Sequence, residues 1–175
     1  MEHSGARREK AENTAGKTAV ITGATSGIGL AALKELTGLG FRVIGVGRDP
    51  KRCAEAEASI RSEVPGARVD YLVADLASQR QVRDLAAAIR RLLATENGGC
   101  LDLLVNNAGV GYFGPHEQIT VKCIQTMVRT NLEVPLIMCR LLLRTLKKSQ
   151  GTIITISSVT AKKVSTHGCA YAATK

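Results

Sequence analysis

The sequence predicts an α/β protein, a doubly wound parallel sheet with helices on both faces. Three observations predict it. Five short apolar runs alternate with helix-patterned segments through most of the chain. The first run ends in a glycine-rich turn, Thr22-Gly23-Ala24-Thr25-Ser26-Gly27-Ile28-Gly29. The chain has 175 residues, 45% hydrophobic and 22% charged, enough for one domain with a real core.

Residues 1–16 read as a flexible polar tail, with an ordered domain over 17–175. TAVITGA (18–24) is a strand buried on both faces. Leu30, Leu33, Leu36 and Leu39 mark a helix that Gly40 stops. FRVIGVGR (41–48) is a second strand. Pro50 opens a helix to about Val64. ARVDYLVADL (67–76) is a third strand, and Ser78 caps a helix to roughly Thr95. CLDLLVNNAG (100–109) is a fourth strand. Glu117 to Lys148 is a long helical stretch with a break expected near Pro135. GTIITISS (151–158) is a fifth strand, and 159–175 runs from loop into the start of a helix.

Composition excludes several classes. The hydrophobic content rules out a disordered chain. Aromatics are 3% with no Trp, which argues against a stacking platform for single-stranded nucleic acid. The net charge is +9, and no acid follows Glu133, whereas Arg140, Arg144, Lys147, Lys148, Lys162, Lys163 and Lys175 all do. That asymmetry fits a solvated helix face better than a nucleic-acid footprint. Five cysteines without a CxxC pair and three scattered histidines (His3, His116, His167) indicate no metal site and no disulfide framework. A reducing, cytoplasmic location is the expectation. The N-terminus lacks a secretory signal, and no apolar run is long enough for a membrane span.

The residues with chemical potential all fall at the carboxyl ends of strands, where open α/β sheets bind ligands. Gly23, Thr25, Ser26, Gly27, Ile28 and Gly29 form a turn whose glycines allow a pyrophosphate to approach the next helix's N–H groups. Arg48 follows the second strand. The slot for a ribose-binding carboxylate falls on Gly47, so Arg48 suits a 2′-phosphate and favours NADP(H) over NAD(H). Asp49, one residue on, leaves the opposite reading open. Asp75-Leu76 ends the third strand and is placed to accept from an adenine amino group. Asn106-Asn107-Ala108-Gly109 ends the fourth, and the small Ala108-Gly109 pair leaves room for a flat ring or ribose. Ser157-Ser158 ends the fifth. Thirteen residues later Tyr171-Ala172-Ala173-Thr174-Lys175 puts Tyr171 and Lys175 on one helix face. A phenol beside an ammonium can shuttle a proton to a carbinol oxygen.

Together, T-G-x-x-x-G-I-G, D-L, N-N-A-G, Asn131, Ser158 and Y-x-x-x-K resemble the short-chain dehydrogenase/reductase family over residues 17–175. The resemblance implies a Rossmann-type doubly wound fold and nicotinamide-dependent conversion of a carbonyl/alcohol pair. It implies Tyr171 as general acid/base, and Lys175 as the group holding the nicotinamide ribose and tuning Tyr171. It implies Ser158 on the substrate oxygen and Asn131 holding a water linked to Lys175. Its partners would be a small-molecule carbonyl or alcohol, with no nucleic acid, and the full-length form would be a homo-oligomer. Family members continue past this point, so the C-terminal strands are expected to be missing here and strand five to expose an edge. Three readings stay open: part of a longer reductase, a shortened nucleotide- or partner-binding module, and a basic nucleic-acid-binding module.

Overall fold

Alternation of strand and helix builds a five-stranded, all-parallel sheet in the order β3-β2-β1-β4-β5. The computed structural model describes residues 14–163 and 166–175. Residues 1–13 of the sequence-read tail, His3 among them, and positions 164–165 lie outside the described residues. The strands are β1 (Thr18–Thr22), β2 (Arg42–Gly47), β3 (Val69–Val73), β4 (Leu103–Asn106) and β5 (Thr152–Thr155). The helices are α1 (Gly27–Gly38), α2 (Pro50–Glu63), α3 (Gln79–Glu96), α4 (Val121–Met127), α5 (Val134–Lys148) and the single turn α6 (Cys169–Ala172). The chain winds outward from β1 through β2 to β3, then returns to β1's other side with β4 and β5. The carboxyl ends of β1 and β4 therefore diverge into a cleft at the switch of direction.

The period-two alternation of the strands splits the core into two layers. Val20, Ile44 and Leu104 face Val82, Leu85, Ile89 and Leu93 of α3 and Met138, Leu142 and Leu146 of α5. Ala19, Ile21, Val43 and Val105 face Leu33 of α1 and Ile60 of α2. Asp49, Ser78 and Thr120 cap α2, α3 and α4, accepting from the N–H of Arg52 (3.0 Å), Gln81 (3.4 Å) and Cys123 (3.2 Å).

Differences from the sequence reading have physical causes. The strands are shorter than their apolar runs, and at the carboxyl ends of β1, β3 and β4 the remaining residues turn into loops that line the cleft. A leucine every three residues drifts around an α-helix, so the buried stripe of α1 is Gly29, Leu33 and Thr37. The helical stretch from Glu117 is interrupted near Pro135 as expected, by a π-helical turn, Val128–Glu133, that ends two residues before the proline, and it is also broken at Ile119–Thr120, ahead of α4. Pro135 sits in the first turn of α5, where its missing N–H is harmless. At the expected edge, all four residues of β5 are exposed.

Gly45 of β2 shows how tightly the layers close. A Cβ there would lie 2.6 Å from the Tyr71 ring and 2.9 Å from Leu33. The absent side chain lets Tyr71 of β3 cross β2 and donate its hydroxyl to the Ala24 carbonyl (2.7 Å). Burial pushes the Tyr71 phenol well above its ordinary value, so it remains a donor. Gly45→Ala should displace the ring and destabilise the fold by about 1–3 kcal/mol, read as a lower urea midpoint; an unchanged midpoint would show that the layers repack without cost.

Candidate active site

The cleft floor is a hydrogen-bond knot between β1 and β4. Thr22 Oγ1 accepts from the N–H groups of Asn107 and Ala108, both at 3.1 Å. Asn107 Nδ2 donates to the carbonyls of Thr22 (3.0 Å) and Gly23 (3.1 Å). The Asn107 amide thus ties the loop after β4 to the glycine turn. Gly23 and Gly27 bend that turn with φ of +67° and +55°. At Gly29 a Cβ would fall 2.4 Å from both Asn107 Nδ2 and the Gly23 carbonyl oxygen, so no larger residue lets α1 start there.

Above the knot opens a cavity of about 360 Å³. It brings together Gly23, Thr25, Ser26, Arg48, Asp75, Leu76, Asn107, Ala108 and Gly109. Gly27, Ile28 and Gly29 shape the turn instead of lining this space, and Ile28 is largely exposed. Ser26 precedes α1 but its side chain does not cap it, unlike Asp49, Ser78 and Thr120 on their helices. The first N–H groups of α1 are left without a side-chain acceptor beside the cavity, as an anion site requires. At Gly47 a Cβ would lie 2.5 Å from Thr25 Cγ2 and 2.6 Å from Cys53 Sγ, so any side chain at the end of β2 would have to displace these two. Burial, and then the charge of Asp49, push the Cys53 thiol up, which keeps it protonated beneath the turn. Asp49 lines the cavity, but one of its carboxylate oxygens is engaged in the α2 cap. Asp75 accepts from the Ala77 N–H with one oxygen (3.0 Å).

Beyond Gly109 lie the remaining sequence candidates. Asn131, buried in the π-helical turn, accepts from the Val110 N–H through Oδ1 and donates to the Val110 carbonyl through Nδ2, each at 2.8 Å. The same Nδ2 donates to Thr174 Oγ1 (2.9 Å), and that hydroxyl donates to the Tyr171 carbonyl (2.8 Å). Asn131 therefore clasps the loop after β4 to the Tyr171 turn. The wide turn lets a residue inside a continuous helical stretch aim an amide at a neighbouring loop.

Helix α6 ends at Ala172, short of the single face expected for Tyr171 and Lys175. The Thr174 and Lys175 N–H groups bond three residues back, to Tyr171 (3.0 Å) and Ala172 (3.2 Å), tightening the turn. Lys175 Nζ donates to the Ile156 carbonyl (2.5 Å), and Ser157 Oγ donates to the Lys175 carbonyl (2.6 Å). Desolvation lowers the Lys175 ammonium below its ordinary value. A Cβ on Gly109 would lie 3.4 Å from Asn131 Oδ1 and 3.5 Å from Lys175 Nζ, so these groups meet beside Gly109, while the cavity itself is lined by neither of them nor by Ser158 or Tyr171. Ser158 Oγ accepts from the N–H (3.2 Å) and the hydroxyl (2.8 Å) of Thr160, capping the 3₁₀ turn Val159–Ala161. Among the described residues no hydrogen bond joins Ser158 to Tyr171.

Several working residues escaped the sequence reading. Arg52 lines the cavity one helical turn after Arg48, a spacing the sequence contained. Thr22, Tyr71 and Thr174 act through contacts 85, 47 and 43 residues away in sequence, which no local pattern announces. Among the described residues no group of His, Cys, Asp and Glu is placed to hold a metal, and no helix is long and apolar enough to cross a membrane.

A family model described as short chain dehydrogenase matches residues 17–175. The putative ketoacyl reductase 1 of the granaticin polyketide synthase from Streptomyces violaceoruber is 37% identical over 160 residues, covering 90% of this chain and 56% of that protein. Serine 3-dehydrogenase from Agrobacterium fabrum is 35% identical over 160 residues, covering 90% and 60%. A metagenomic short-chain oxidoreductase solved in complex with NADP superposes with a TM-score of 0.83 at 33% identity, covering 93% of this chain and 71% of that one. The chain thus spans little more than half the length of the curated relatives it matches. The glycine turn joined to Asn107, the clasp at Asn131 and the Tyr171–Lys175 turn are carried on a fold that superposes on that solved structure, and the chain belongs to the short-chain dehydrogenase family.

Proposed function

We propose that this chain carries the cofactor cleft and proton-transfer residues of an oxidoreductase that moves a hydride between NADP(H) and a carbonyl/alcohol substrate. One observation carries the reading. A cavity lined by Ser26, just before the uncapped start of α1, and by Arg48 runs to Gly109. Asn131 and Lys175 lie beside Gly109, and Asn131 joins the Tyr171 turn through Thr174. The residues present fit a dinucleotide. Ser26 and the α1 N-terminus, with Gly23 and Thr25, would hold the pyrophosphate. Asp75 has a second carboxylate oxygen for an adenine amino group. Ala108 and Gly109 leave the floor flat. Gly27, Ile28 and Gly29 support this end by shaping the turn.

The choice of NADP(H) over NAD(H) rests on charge. Gly47 carries no carboxylate at the end of β2, one oxygen of Asp49 is engaged at the α2 cap, and Arg48 and Arg52 both line the cavity. Two guanidinium groups suit a 2′-phosphate dianion. The solved metagenomic relative has NADP in its complex, which agrees with this preference.

When bound, NADP(H) supplies or accepts the hydride. Tyr171 delivers a proton to the substrate oxygen in reduction and removes it in oxidation. Lys175, held by the Ile156 carbonyl, offers its remaining N–H donors to the nicotinamide ribose and keeps a positive charge near the phenol. Ser158 turns its hydroxyl from Thr160 to the substrate oxygen. The side chain of Asn131 is occupied by Val110 and Thr174, so its part is to position the Tyr171 turn, and any water relay would use main-chain oxygens of the π-helical turn.

Tyr171→Phe should abolish turnover of a carbonyl substrate while NADPH binding, followed by nicotinamide fluorescence, stays intact; normal turnover would reject Tyr171 as the acid/base. Arg48→Ala should weaken NADPH binding roughly ten- to hundredfold, the worth of a charge-assisted pair, and leave NADH binding nearly unchanged. Equal losses for both cofactors in that titration would reject the phosphate assignment.

A further inference from the structure

The loop after β4 holds an aromatic ring against Tyr171. Alternate residues of this loop are fastened. Val110 is clasped by Asn131, the Tyr112 N–H reaches Met127 Sδ (3.4 Å), and the Gly114 N–H donates to the His167 carbonyl (3.0 Å). The residues between them face Tyr171. The ring centroids of Phe113 and Tyr171 are 5.2 Å apart at an interplanar angle of 52°. Gly111 makes this possible. A Cβ there would lie 2.7 Å from Phe113 Cε2 and 3.3 Å from Tyr171 Cδ2. The ring rests where only glycine lets it rest.

Phe113 is nonetheless 61% exposed. The chain has only two phenylalanines, and this one is held with most of its surface open. Other open apolar groups accompany it. Tyr112 precedes it at 41% exposure, and Val159, next to Ser158, is 69% exposed in a 3₁₀ turn that packs beside α6. An open ring seated on the ring of Tyr171 is an apolar surface on which a flat ligand stacks. Residues 109–115 contain no charged side chain, so this wall offers nothing to a carboxylate or phosphate substrate.

We propose that Phe113 is a specificity-determining residue that selects carbonyl compounds with a planar, aromatic skeleton next to the reacting carbon. The substrate's ring packs on the open side of Phe113, which sets its carbonyl oxygen toward Tyr171 and Ser158. This inference rests on the reading of Tyr171 as the acid/base. Small, charged keto acids gain nothing from the ring and bind weakly.

Ligand-observed saturation-transfer NMR on the chain with NADP⁺ tests it, with 2-acetylnaphthalene and acetoacetate as probes. The naphthyl protons should be saturated strongly and those of acetoacetate weakly. Phe113→Ala should weaken 2-acetylnaphthalene binding roughly tenfold, in line with the loss of an aromatic pair. Phe113→Tyr, which keeps the ring, should retain the affinity, and circular dichroism should show both variants folded. Absence of 2-acetylnaphthalene binding, equal binding by a folded Phe113→Ala variant, failure of Phe113→Tyr to restore it, or a preference for acetoacetate would each overturn the proposal. Binding is read without turnover, so a failure of Tyr171→Phe to abolish catalysis sinks the acid/base reading separately.

Discussion

The knot of Thr22 and Asn107 is the contact on which the site depends. It joins the carboxyl ends of β1 and β4, the two strands between which the sheet reverses its winding. A side-chain amide bonded to two successive carbonyls sets both the height of the glycine turn and the course of the loop after β4. Gly29 then has to be glycine, because the Asn107 amide occupies the space of its side chain. Tyr71 holds the same turn from the other flank through Ala24, across the gap left by Gly45. The glycine turn is thus held from both flanks by the fold itself, and a turn set in advance lowers the entropic cost of binding.

A second fastening links this floor to the reacting end. Asn131 bonds Val110 as one strand bonds another, then continues through Thr174 to the Tyr171 carbonyl. α6 is a single turn and has little intrinsic stability. Its place comes from tertiary bonds, through Asn131 on one side and the Ile156 carbonyl and Ser157 hydroxyl on the other. A polar network in a poorly solvated place holds position well because breaking one bond strands its partners. The π-helical turn is the local distortion that lets Asn131 reach outward.

Some of this was legible from local pattern and some was not. Alternating apolar runs revealed all five strands, and Pro50 and Ser78 marked helix starts by chemistry confined to one turn, whereas the cap formed by Asp49 was not read. Asn107 was read for the ligand and proves a fastener as well, since its amide bonds Thr22 and Gly23, 85 and 84 residues away. Pro135 announced an interruption close by, but not its form, because a π-turn is stabilised by what a side chain such as Asn131 meets across the fold. The spacing of Tyr171 and Lys175 suggested one helix face, yet the turn tightens because Lys175 is drawn to the end of β5.

By itself the sequence determined the class of fold, the order of its elements and the residue types at each strand end, since hydrophobic period and turn chemistry act over a few neighbours. Only the tertiary structure decided which of those residues meet. That Asn107 closes on Gly29, that Thr25 and Cys53 press on Gly47, and that Phe113 lies on Tyr171 depend on segments brought together by sheet order and packing. Such contacts leave no periodic trace in the chain, because their energy comes from shapes that fit only once the sheet has formed.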